Sequence, residues 1–79
     1  MASKGKQPTW EDRTSRYIKA ELKRADVTYE ELAERLKKHG QKETKASIAA
    51  KLGRGTFSAV FLLATLAALD SEGLRLEDL

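Results

Sequence analysis

A chain of 79 residues with 15 Lys/Arg, 12 Asp/Glu, one His and no Cys is long enough for one small domain whose core leaves a margin of only a few kcal/mol. Its composition excludes disulfides, thiolate metal sites and a His-rich metal site, so neither metal nor cofactor is expected. No apolar run is long enough to span a bilayer, and the opening "MASKGKQPTW" lacks the hydrophobic stretch of a secretory signal. These features lead us to expect a cytoplasmic protein, with residues 1–8 a disordered basic arm and residues 9–79 a single domain.

The net charge of +3 is unevenly spread. Residues 1–55 carry 14 Lys/Arg against 8 Asp/Glu, whereas residues 56–79 carry 1 against 4. Within 35–54 there are seven basic residues (Arg35, Lys37, Lys38, Lys42, Lys45, Lys51, Arg54) and a single acid, Glu43. An excess of this kind suits a polyanion.

Strand signals are weak and helix signals strong. The first helix is expected from about Thr9 to Ala25. Thr9 caps it with Asp12 three residues on, Glu11 and Asp12 open it, and Lys23 and Arg24 close it in accord with the helix dipole. Ile18, Leu22 and Ala25 form its inner stripe, with Trp10, Arg13 and Tyr17 extending that side; Trp10 and the two tyrosines read as packing residues. In "VTYEELAERL", Thr28 and Glu31 make a capping box for a second helix. Val27 and Leu32 staple its start, Tyr29, Leu32, Ala33 and Leu36 follow the helical period, and Gly40 stops it after His39.

The third helix is "TKASIAAKLGRG". Thr44 is its cap with Ser47 three on, Ile48 and Leu52 face inward, and Gly53 and Gly55 end it. The fourth begins at Ser58 in "SAVFLLATLAALD"; eleven of the thirteen residues 57–69 are apolar, so it must be buried on several sides, as a central helix or against another copy of the chain. The tail "SEGLRLEDL" suits a short strand or a last helical turn. The expected class is therefore all-α, with four to five short helices and a possible C-terminal strand.

Helix two, a glycine-containing linker and a short basic helix three stand in the order of a helix-turn-helix unit. Ala33 with Ala49 or Ala50 supplies the small residues such a crossing needs. The linker "KKHGQKETKA" is about three residues longer than a tight turn. "IKAELKRADVTYEELAERL", "TKASIAAKLGRG" and "FSAVFLLATLAALD" together resemble successive helices of the Cro and lambda-repressor-like domain. The series "VTYEELA", "ETKASI", "GRGTFSA" and "LRL" also resembles a small uncharacterised bacterial family. The first resemblance implies a repressor-like helical bundle that sets its third helix in the major groove of double-stranded DNA.

On that reading Lys42, Lys45, Lys51 and Arg54 are the phosphate ligands, Lys45 and Ser47 the base contacts, and Ala46, Ala49 and Ala50 admit close approach. Alanine meets only a thymine methyl and lysine acts mostly as a point charge, so the face suits a backbone better than a base sequence. A homodimer is expected through Phe57, Phe61, Leu62, Leu74 and Leu76. The rival from another class is a protein-interaction module, adaptor or antitoxin-like, using the apolar fourth helix. No Ser-His-Asp set, phosphate loop or metal cluster is present, and Glu30, Glu31, Glu34 and Glu43 form no catalytic carboxylate pair; an enzyme is not expected.

Overall fold

A computed structural model describes residues 8–79; the expected basic arm therefore lies, but for Pro8, outside the described residues. The chain forms α1 (Trp10–Ala25), α2 (Tyr29–Lys38), α3 (Lys45–Arg54) and α4 (Ala59–Ala68), followed by a 3-10 turn at Leu76–Asp78. No strand occurs among the described residues. The tail takes the helical of its two expected forms.

Each helix start is set by a hydroxyl. Thr9, Thr28, Thr44 and Ser58 accept the backbone N–H three residues on, satisfying a donor the helix itself cannot. The reciprocal bond of a capping box forms at Thr9–Asp12 and Thr44–Ser47. At α2 only half of the expected box is present: the Glu31 carboxylate turns outward to Arg35 at 3.0 Å.

Three of the four helices end in the same way. At α1, α2 and α4 a left-handed residue, Asp26, Gly40 or Asp70, follows the last turn, with paired bonds back to it: Asp26 to Lys23 and Val27 to Leu22, Gly40 to Lys37 and Gln41 to Leu36, Asp70 to Ala67 and Ser71 to Leu66. Asp26 and Asp70 hold positive φ, a conformation that aspartate tolerates better than most residues. Gly53 does not end α3 but lies inside it. The stop is Gly55, at φ +74°, whose N–H reaches back to the Lys51 carbonyl at 2.9 Å.

Packing runs as a chain of pairs: α1 on α3, α3 on α2, α2 on α4. Ile18, Leu22, Val27, Leu32, Ala33, Leu36, Ile48, Leu52, Phe61 and Ala68 form one core. Ala33 is buried on the helix that α3 approaches, while Ala49 and Ala50 face solvent. On α1 the inner stripe is Ser15, Ile18 and Leu22; Ala25 is exposed. Ser15 belongs there because its hydroxyl donates to the Leu52 carbonyl, one of the acceptors orphaned at the end of α3. Trp10 is not a packing residue: it is 59% exposed, with the Arg13 guanidinium 4.4 Å over its ring.

α4 is not central. It buries Phe61, Thr65, Leu66 and Ala68 and leaves Val60 58% and Leu63 64% exposed. Arg35 donates to the Ala68 carbonyl at 3.1 Å, placing a cation at the negative end of a helix that has none of its own. The tail folds over α1, where Arg13 donates to the Leu79 main-chain oxygen at 3.1 and 3.3 Å and Tyr17 to Gly73 at 3.5 Å.

Thr65 is fully buried and its hydroxyl has no partner among the described residues. A buried, unpaired hydroxyl costs about 1–3 kcal/mol. Thr65→Val keeps the shape and removes that cost, so a gain of about 1 kcal/mol is expected, read as a Tm higher by about 4–8 °C. A lower Tm would show that the hydroxyl is satisfied in solution.

Candidate nucleic-acid interface

α3 has two sides of opposite character. Ile48 and Leu52 fill the core, and Ala46, Ala49, Ala50 and Gly53 form an exposed stripe at i, i+3, i+4 and i+7. Exposed Lys42 and Lys45 stand at its beginning and exposed Arg54 at its end. None of these three cations has an ion-pair partner among the described residues.

Two members of the expected contact set, Lys51 and Ser47, are engaged by Glu43. Lys51 Nζ donates to both Glu43 carboxylate oxygens, at 2.7 and 2.6 Å, and sits 5.2 Å from the Phe61 ring centre. Its side chain is 28% exposed and that of Glu43 only 9%. Ser47 donates to Glu43 Oε1 at 2.6 Å and accepts the Thr44 N–H at 2.8 Å. Both are consumed in fixing the α3 N-terminus. The physical reason lies in Glu43: a nearly buried carboxylate must gather donors, and the closest ones are on the first two turns of the helix it precedes. Its charge also meets the positive end of the α3 dipole.

Burial alone raises the Glu43 pKa, but hydrogen bonds from Lys51 and Ser47 and the Lys51 charge outweigh it, leaving the carboxyl below its ordinary 4.5. A lowered folded-state pKa means that the stabilisation is fully present above about 4.5 and is lost as pH falls through the lower folded value. Glu43→Gln should melt well below the wild type near neutral pH, and the gap should narrow in melts taken below about pH 4.5. A gap constant across the acid range would contradict this role.

The linker that the sequence shows to be long is thus an ordered strut. Residues 39–44 separate α2 from α3; Gly40 turns the chain at φ +76°, and Glu43 ties the remainder to α3. The basic excess of 35–54 also shrinks on folding. Arg35 pairs with Glu31, Lys37 with Glu34 and Lys51 with Glu43, so Lys38, Lys42, Lys45 and Arg54 remain. Glu30, Glu31 and Glu34 line a groove with Thr44 and Lys45, making the approach to the α3 N-terminus partly acidic.

Of the expected interface residues, Phe61 is 2% exposed and belongs to the core, so it cannot serve a partner. Phe57 stands edge-on to it at 5.2 Å, and Phe57 and Leu62 are partly buried against the core. Leu74 is half-buried and Leu76 68% exposed. The exposed apolar pair on α4 is Val60 and Leu63, one turn apart. Composition does not reveal this pair, because an all-apolar helix has no period to show which side faces out.

No metal-binding group of three or more His, Cys, Asp or Glu occurs among the described residues, and no described helix is long and apolar enough to cross a membrane. The molecule is a small all-helical domain. Residues 10–74, which contain all four helices, match a domain of unknown function (DUF6471), and the chain belongs to that family. No curated protein and no solved structure matches it.

Proposed function

We propose that the chain binds double-stranded DNA through the exposed face of α3, in a helix-turn-helix manner and chiefly through the sugar-phosphate backbone. The observation that carries this reading is the stripe of Ala46, Ala49, Ala50 and Gly53, bounded by the unpaired, exposed cations Lys42, Lys45 and Arg54. Small side chains let a helix lie close to the groove floor, and the flanking cations neutralise phosphates and release their counterions. Alanine methyls read at most thymine methyls, so binding depends more on salt and DNA shape than on base identity. The role that fits is a small regulator or a nucleoid-associated factor. Lys42→Ala/Lys45→Ala/Arg54→Ala tests it: all three sites are exposed, so the fold should hold. The slope of log affinity against log salt should fall by roughly 0.9 for each phosphate contact removed. A variant with the slope and affinity of the wild type would remove α3 from the interface.

A second reading has its own observation. Val60 and Leu63 leave an apolar ridge on a helix with no charged residue. That ridge suits a second copy of the chain, and a two-fold pair could set two α3 helices about one DNA turn, roughly 34 Å, apart. The rival occupant is an unrelated protein, as an adaptor or antitoxin-like module would use. Sedimentation of the wild type beside Leu63→Lys separates them: a dimer that the variant abolishes supports the first, and a monomeric wild type removes it.

A further inference from the structure

α1 carries five cations, and the structure divides them. Arg13 is held by the Leu79 main-chain oxygen and the Trp10 ring, and Arg24 pairs with Glu21. Arg16, Lys19 and Lys23 are exposed and have no ion-pair partner among the described residues. At about 100° per residue these three fall within a sector of about 60°, and at about 1.5 Å per residue they span about 10 Å of the helix. They form one row, and two of its three members, Arg16 and Lys19, are next to α3. Arg16 and Lys19 line a cleft with Gly53 and Arg54, the C-terminal part of the exposed α3 face. That cleft also holds Glu11 and Asp12 one turn earlier on α1, and Asp12 is occupied in part by the Thr9 N–H at 3.4 Å. The other end of α3 has Lys45 beside Glu30, Glu31 and Glu34, of which Glu31 and Glu34 are paired with Arg35 and Lys37.

We propose that α1 is a second backbone-gripping element: Arg16, Lys19 and Lys23 contact successive phosphates of the strand beside the groove that α3 enters, with Arg54 joining the two elements. This rests on the DNA reading above and shifts its electrostatic centre from the start of α3 to the junction of α3 with α1. Phosphates of one strand rise about 3.4 Å along the axis and stand farther apart along the winding backbone, so a row about 10 Å long with flexible side chains can meet about two to three. Gly53 keeps the ground between the row and the α3 face low, since nothing lies within 4 Å of where its Cβ would be.

Anisotropy titrations of a labelled random-sequence duplex over a salt series, with wild type, Arg16→Ala/Lys19→Ala/Lys23→Ala and Lys42→Ala/Lys45→Ala/Arg54→Ala, test the proposal. Alanine is the best helix former and the three α1 sites are exposed, so the α1 variant should keep the wild-type melt. It should lose about tenfold or more in affinity at low salt, with a slope smaller by roughly 2 to 3. If the α1 variant keeps the wild-type slope while the α3 variant loses its own, the α1 row is overturned and the DNA reading stands. If the wild type shows no binding at low salt, both fall.

Discussion

Lys51→Ala should lower stability by about 2–3 kcal/mol, rather than weaken a DNA contact. Removing one partner of a buried ion pair costs about 3–5 kcal/mol, and the smaller figure follows because the Lys51 side chain retains 28% exposure. What the variant leaves behind is a Glu43 carboxylate that is 9% exposed and holds only the Ser47 donor. In a domain of 79 residues that loss corresponds to a Tm lower by about 10–20 °C. Lys45→Ala, at an exposed and unpaired site, should stay within about 0.5 kcal/mol of the wild type. Thermal melts of the two variants side by side check the assignment. Equal Tm values would return Lys51 to the set of free cations.

Gly55→Ala should cost about 2–5 kcal/mol. Two effects add. Gly55 has φ +74°, a left-handed geometry that costs an L-residue roughly 1–2 kcal/mol. A Cβ there would also lie 2.6 Å from the Glu11 carbonyl oxygen and 2.8 Å from its Cβ, so α1 must move away from the end of α3. Crowding of this kind costs about 1–3 kcal/mol. Gly53→Ala is the control with the opposite sign. It lies in α3 with nothing within 4 Å, so alanine should add about 0.5–1 kcal/mol. Denaturant unfolding of both variants decides it; a Gly55→Ala protein as stable as the wild type would show that the α1–α3 contact is looser than described.

The helices were legible in the sequence because their starts are written in single residues. Thr9, Thr28, Thr44 and Ser58 each cap the helix that periodicity places after them. The ends are less plainly marked. Gly40 is a visible stop, but Asp26 and Asp70 occupy the same left-handed position with no glycine to announce it. Ser15 does not show as a core residue in the sequence because a hydroxyl on an inner stripe looks like a gap; only the approach of the α3 terminus gives it an acceptor.

The candidate site was legible as a helix and illegible as a charge pattern. Counting basic residues treats Lys42, Lys45 and Lys51 alike, yet Glu43 selects one of them. The i, i+4 and i, i+8 spacing of Glu43, Ser47 and Lys51 was the available signal, since it stacks all three on one side of the α3 start. The row Arg16, Lys19 and Lys23 was present in the sequence too, but its meaning depends on which helix lies beside α1, and that is a tertiary fact.

The proposed role of this face of the molecule is to grip the backbone of duplex DNA. It is tested most directly by the affinity of the wild-type protein for a random-sequence duplex, measured from low to physiological salt. The expected result is binding at low salt that falls linearly on a log–log plot, with a slope of about −3 or steeper, set by at least three phosphates at about 0.9 each. No binding at low salt, or an affinity that does not change with salt, would contradict it.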